Sequence, residues 1–342
     1  MKSKIAKCVV TIQILMSSLL AFESMAFNDR EAGAYLWKLI NEARLRPVKT
    51  IEVYGIDYES AKRSLGDDSW ILELENGLPP LAWNPTLTET SSAHNSDMIN
   101  RQYYSYTSPE GLSFNDRIVN SGYNPLLTGE SLSILSFYLY VDPLKAVEGI
   151  FENMLRDELN PDLGYPKNIF SKDFTEIGIS FISTILSIES DSSEKESTIN
   201  AYLVTADFAK PVETRVYIMG NIYNIGENQP TELNPLISNQ DLDNENNYAA
   251  NLLNYKSWSP QKANDNFILW VHNFIEGWRV EVPHGNLGTY QIQIPQNTFY
   301  SIELYRRIPD NNIQNGWFQG ELLKRTINIG LNINKMVDFG MN

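Results

Sequence analysis

From residue 29 onward the apolar positions fall at helical spacing. In "REAGAYLWKLINEARLRP", Tyr35, Leu36, Leu39, Ile40 and Ala43 recur on one face, with Asp29 placed to cap the start and Pro47 to stop the run. "GIDYESAKRSLG" predicts a second short helix. In "GLPPLAWNPTLTETSSAHNSDMINRQYY" a turn is followed by Asn84 as N-cap and Pro85 at the first helical position. Leu87, Ser91, His94 and Met98 of that helix share one face. "SFNDRIVNSGY" predicts another short helix, and "DPLKAVEGIFENMLRDEL" a longer one capped by Asp142 with Pro143 next to it.

The pattern then changes period. "TEIGISFISTILSI" and "TINAYLVTADFA" read as two strands of a hairpin, joined by the polar loop "ESDSSEKES", whose charges read as solvated. The expectation to this point is α+β, helices packed on a small antiparallel sheet. Near Lys210-Pro211 the composition shifts to Asn-rich, strand-like segments: "TRVYIMGNIYNIG", "NFILWVHNFI", "WRVEVPHG", "GTYQIQIP", "FYSIELYRRI", "KRTINIGLNI" and "KMVDFGM". Short strands separated by turn residues predict an all-β sandwich. The expected organisation is a leader over 1–26, an α+β domain over 27–212 and a β-sandwich over 213–342.

The leader is read from its own composition. Lys2, Lys4 and Lys7 precede a mostly apolar run from Cys8 to Phe22, and Ser24-Met25-Ala26 supplies small residues for cleavage after Ala26. This predicts a signal peptide, and with it a secreted, periplasmic or extracellular location. The apolar run is shorter than the roughly 20 residues a membrane span needs. Cys8 is the only cysteine, so a chain beginning at Phe27 has no disulfide, no thiolate nucleophile and no cysteine metal ligand. Its acidic balance, formally −15 for the whole chain, disfavours nucleic acid and anionic membranes as partners. No later segment is apolar enough to span a membrane.

Several of these stretches resemble one family. "LINEARLRP", "LPPLAWNPTLTETSSAHNSDM", "YYSYTSPEGLSFNDRI", "GYNP", "GES", "NIF", "DFTEIGIS" and "AYLVTADF" follow one another as in the bacterial form of the CAP superfamily, the cysteine-rich secretory and pathogenesis-related-1 type domain. The resemblance covers about residues 30–210 and implies an α-β-α sandwich. "WRVEVPHGNLGTYQIQIP" and "VDFGM" are similar to the small β-sandwich appended to bacterial members. The resemblance also implies a cleft with two histidines and acidic partners, which in some members binds a divalent metal. Here Tyr106 stands in the first histidine's stretch, Tyr104-Ser105-Tyr106-Thr107, and Tyr165 stands in the second's, Gly164-Tyr165-Pro166. Glu130 keeps the acidic position of the family's Gly-Glu-Asn motif, with Ser131 in place of Asn.

That departure shapes the functional expectation. A neutral imidazole is a common metal ligand and titrates near neutrality, whereas a phenol remains protonated and donates hydrogen bonds. Tyr106 and Tyr165 are therefore expected to donate to Glu130 and satisfy it without a cation, leaving no metal and no cofactor. The candidate ligand cleft is Tyr104, Tyr106, Glu130, Tyr165 and His94, open to a small hydrophobic ligand or a peptide. A non-enzymatic binding protein is one reading. A hydrolase using Glu130 with His94 is a second, discriminated by their separation, and a structural envelope or adhesion component is a third. Asp97, three residues after His94, is placed to touch it.

Weaker signals lie elsewhere. "GESLS" has Ser133 where a nucleophile elbow needs glycine. "DLDNEN", at 241–246, opens like a calcium loop but lacks its glycine and, at Leu252, its closing glutamate. His272 and His284 have no neighbouring metal-ligand pattern. Trp258, Trp270, Trp278 and Trp317 could stack on carbohydrate if exposed, although such residues more often pack in a core.

Overall fold

The structure, a computed structural model, describes residues 29–65, 75–164, 166–188, 197–224, 267–273, 275–282, 289–297, 299–307, 320–330 and 333–341. The chain divides into two compact units, with the break between Val212 and Glu213.

In the N-terminal unit, α1 (Asp29–Leu45), α2 (Pro47–Val53) and α3 (Tyr58–Leu65) precede β1 (Ala82–Trp83) and α4 (Pro85–Arg101). Then come α5 (Phe114–Asn120), β2 (Pro125–Phe137), α6 (Pro143–Glu158), β3 (Glu176–Ile188) and β4 (Ser197–Pro211). α4 and α6 begin where the caps predict: the Asn84 side chain accepts from Leu87 N–H, and the Asp142 side chain accepts from Leu144 N–H. Asp29, expected as a cap, is instead the first residue of α1, and its carboxylate accepts from the Ser183 N–H and hydroxyl. Pro47 follows the end of α1, as expected, but it also opens α2 at N1, a position where its missing N–H removes no hydrogen bond.

The sheet runs β1-β3-β4-β2. The β3–β4 hairpin is the expected one, from Glu176↔Ala209 to Ile188↔Ser197, and its connecting loop lies outside the described residues. β2, which the hydrophobic pattern did not predict, pairs antiparallel along the whole of β4. Gly129, Glu130 and Ser131 interrupt the alternation that would have marked it.

The two faces of this sheet differ in chemistry. One presents Ile179, Phe181, Val204, Ala206 and Phe208, all buried. α1 packs on it, Gly33 lying close to Ile179, and α6 approaches β2 at Leu135. Each of the large apolar side chains on that face contributes about 1.5–3 kcal/mol of burial. The opposite face presents Glu130, Thr205, Asp207, Glu176, Gly178 and Ser180, also buried, and α4 covers it. Helices on both faces give the α-β-α arrangement. A buried face this polar must satisfy its groups internally, and there the site is built.

The C-terminal unit is all strand among the described residues: β5 (Val216–Asn224), β6 (Phe267–Asn273), β7 (Trp278–Val282), β8 (Thr289–Ile294), β9 (Phe299–Arg307), β10 (Gly320–Gly330), β11 (Lys335–Met336) and β12 (Phe339–Met341). They form two sheets, β10-β9-β6-β7 and β11-β5-β12 with β8 on β5. Ile218 of the second sheet and Leu269, Val271, Ile302 and Leu304 of the first belong to one apolar core. Trp278 packs against Tyr300, and Trp270 lies under the Arg279 guanidinium, 4.5 Å from its ring centroid. His272 pairs across the sheet with Arg279 and Ser301. Trp258, Trp317, His284 and the 241–246 segment lie outside the described residues.

Candidate functional site

Three elements meet over the polar face. α4 can lie directly on β3 because Gly178 has no side chain: a Cβ there would come within 2.2 Å of the main chain at Leu87 and Thr88. The inner residues of α4 then reach the sheet. Ser91 Oγ donates to Asp207 Oδ2 (2.9 Å), Asn95 Nδ2 donates to the Ser180 carbonyl (3.1 Å), and Thr205 Oγ1 donates to Asn95 Oδ1 (2.5 Å). α5 is fixed by a capping box between Ser113 and Asp116 and directs Arg117 inward. On the strand side, Asn168 Nδ2 donates to the Glu130 carbonyl and the Ser131 hydroxyl, both at 2.9 Å.

Glu130 is 3% exposed and stands directly across from Asp207 on β4. Arg117 Nη2 donates to Glu130 Oε2 at 2.6 Å, while Arg117 Nη1 donates to the main-chain carbonyls of Tyr106 (3.0 Å) and Leu112 (3.2 Å). One guanidinium thus ties the buried carboxylate to the segment that precedes α5. The remaining oxygens, Glu130 Oε1 and Asp207 Oδ1, are buried with no hydrogen-bond partner. Two acceptors can join only if one carries a proton.

The electrostatics favour that proton. Burial raises both carboxyls above their ordinary range, Asp207 well above it with the neighbouring Glu130 charge adding to the effect. Arg117 pulls Glu130 back down. Two buried negative charges facing a single guanidinium would leave one uncompensated, so the pair retains one proton and one charge.

His94 is buried on α4 with its Nε2 3.0 Å from the Ser105 carbonyl. A carbonyl only accepts, so Nε2 carries the hydrogen. Nδ1 lies 3.5 Å from the Tyr103 hydroxyl, which donates to Asp97 Oδ2 at 2.5 Å. Burial, and after it the Arg117 charge, push the imidazole down to about 4. It is neutral at pH 7, so its 4.0 Å approach to Glu130 Oε1 is not an ion pair there. The direct His94–Asp97 hydrogen bond expected from the sequence is not made: Asp97 Oδ2 accepts from Tyr103 and Arg101, and since the one Tyr103 hydrogen goes to Asp97, Tyr103 donates nothing to His94 Nδ1.

The structure therefore brings His94 and Glu130 together but reassigns the donor. The hydrogen bond that sequence reasoning gave to Tyr106 is made by Arg117, and Tyr106 contributes its main-chain carbonyl to the same guanidinium. The reason is geometric: the Tyr106 side chain is 40% exposed, whereas Glu130 faces inward beneath α5. Tyr104 is likewise exposed, and Tyr165 lies outside the described residues. Arg117 and Asp207 were missed. Arg117 is the only cation between Arg101 and Lys145, and Asp207 is the only charged residue between Ser197 and Ala209. Each was a usable signal. Among the described residues no three His, Cys, Asp or Glu side chains are grouped to hold a metal ion.

One family model matches part of the chain. Residues 37–184 match the cysteine-rich secretory protein family, CAP. The uncharacterized membrane protein YlbC of Bacillus subtilis is 23% identical over 171 residues, 48% of this chain and 43% of that protein. The chain thus spans under half the length of this curated relative. An extracellular protein containing a SCP domain from Bacillus anthracis is 17% identical, with a TM-score of 0.31 over 57% of this chain and 45% of its own. An outer surface protein of Borrelia burgdorferi is 15% identical, with a TM-score of 0.30 over 54% of this chain and 96% of its own. No described helix is long and apolar enough to cross a membrane. Over residues 37–184 the chain thus matches the cysteine-rich secretory protein (CAP) family, with helices on both faces of the β1-β3-β4-β2 sheet and Glu130 in strand β2.

Proposed function

We propose that this is an exported CAP-domain protein that acts by binding, at the surface beside Glu130, a small hydrophobic ligand or a peptide. The observation that supports the reading is the Arg117–Glu130 contact at 2.6 Å. A resident guanidinium stands against the carboxylate, so Glu130 needs no bound cation and is not poised as a free base. His94 supports it too, since its Nε2 hydrogen is committed to the Ser105 carbonyl. The ligand would meet Tyr104, Tyr106 and Leu112, which are exposed on the segment that Arg117 anchors. Export rests on the basic-apolar-small pattern of residues 1–26.

One distance favours the rival reading, a hydrolase. His94 Nε2 and Glu130 Oε1 are 4.0 Å apart, near enough for a small movement to join them. The two readings separate on incubation with a pool of tryptic peptides and, in parallel, palmitate. Binding predicts NMR shifts at Tyr104, Tyr106 and Leu112 with every peptide intact by mass spectrometry. Cleavage that disappears in a folded Glu130→Gln variant would establish the hydrolase instead.

A further inference from the structure

Residues 131–141, "SLSILSFYLYV", contain no charged side chain in a chain that is 20% charged and formally −15. They form the second half of β2 and the connection into α6. β2 is an edge: β4 pairs along one side, and no described strand pairs along the other. Alternate residues of an edge strand turn their N–H and C=O groups outward, and proteins usually guard such edges with lysines, prolines, bulges or short strands. β2 is 13 residues long with its only proline at the first position. Its one charge, Glu130, is turned inward against Arg117. Its proline and its one pairing irregularity lie at Pro125–Leu127, and Asn168 covers the Glu130 carbonyl, so among the described residues the half from Leu132 to Phe137 carries none of these guards.

The adjoining surface is apolar. Ile134, Tyr138, Leu139 and Tyr140 are 43, 79, 80 and 65% exposed. The tip is mounted rather than loose. The buried Tyr202 donates its hydroxyl to the Val141 carbonyl and accepts from the Val141 N–H. Its ring packs on Phe137 (6.2 Å) and Phe181 (5.9 Å).

We propose that this edge is a homodimer interface, β2 of one copy pairing antiparallel with β2 of a second across a two-fold axis. Charge selects the occupant. Two equally acidic copies repel one another over most of their surface, and a contact free of charged side chains is where they can approach. Size is consistent: the four exposed side chains offer on the order of 500 Å², against about 800 Å² per partner in a standard interface, and the paired strands supply further area. A two-fold axis presents the same neutral patch to itself, so no separate partner surface is required. The inference is independent of whether the Glu130 surface binds or cleaves.

Sedimentation velocity over a wide concentration range tests it on the parent chain and on Leu139→Asp and Ile134→Lys. Leu139→Asp alters a mostly exposed tip and leaves folding intact, which far-UV circular dichroism checks. The parent should sediment as a dimer, and each variant should dimerise at least roughly tenfold more weakly. A parent that remains monomeric throughout overturns the proposal. So does a dimer that both variants retain, because the contact would then lie on another face.

Discussion

Replacing Arg117 by Met removes the cation paired with a buried carboxylate while keeping much of the stem's packing. The Glu130 side chain is 0% exposed and that of Arg117 12%, so water cannot substitute freely. Three hydrogen bonds are lost: the charged one to Glu130 Oε2 and two to the carbonyls of Tyr106 and Leu112. A bond to a charged group is worth about 1.5–3 kcal/mol and a neutral one about 0.5–1.5. Breaking one side of a buried pair costs about 3–5 kcal/mol overall, and protonation of the abandoned carboxyl limits the loss. Urea denaturation at pH 7, followed through the N-terminal unit, should show a loss of about 3–5 kcal/mol. The loss should shrink in acid, where Glu130 takes up a proton. Glu130→Gln in the same chain should recover part of it, since a neutral amide needs no counter-charge. A loss below about 1 kcal/mol, or strict additivity in this double-mutant cycle, would refute the ion pair as the centre of the site.

Other expectations concern the same polar face. Burial raises Asp207, so the native state keeps a proton that the unfolded chain releases; that contribution is full in acid and is lost as pH rises past the ordinary carboxylate range. Asp207→Asn should therefore flatten the alkaline side of a stability–pH profile, and an unchanged slope would count against the shared proton. Gly178→Ala should cost about 1–3 kcal/mol by the same denaturation assay, toward the upper end because its Cβ meets the main chain of α4 rather than a movable side chain. Calorimetry with zinc should show no tight one-to-one complex; such a complex, abolished by Glu130→Gln, would contradict the assignment of Arg117 as the resident cation.

Local chemistry made much of the fold legible. Asn84-Pro85 and Asp142-Pro143 mark the starts of α4 and α6 because cap and N1 preferences act within a few residues. The alternation in β3 and β4 identified their hairpin. β2 was hidden because its middle, Gly129-Glu130-Ser131, serves the site: Gly129 clears Asn168 and Phe174, whose atoms a Cβ would approach within 2.5 and 2.8 Å. The site was half legible. Glu130 and His94 stood out by residue type, but the donor to Glu130 came from Arg117, 13 positions earlier on a separate short helix, and Asp207 arrived from the far end of the domain. Such partners are set by strand register and helix placement, which no local pattern encodes. Tyrosine was assigned the role because it occupied the family's histidine position, although the strand turns Glu130 away from that exposed wall.

The protonation of His94 tests most directly whether the site holds a free base. Nitrogen-15 NMR of the imidazoles, with His94 assigned by loss of its signals in His94→Gln, reports both tautomer and titration. The expected result is a neutral ring with its hydrogen on Nε2, titrating at about 4 rather than at the usual 6.5. A ring that titrates near 6.5, with Nε2 unprotonated and open toward Glu130, would contradict the binding assignment and point to catalysis.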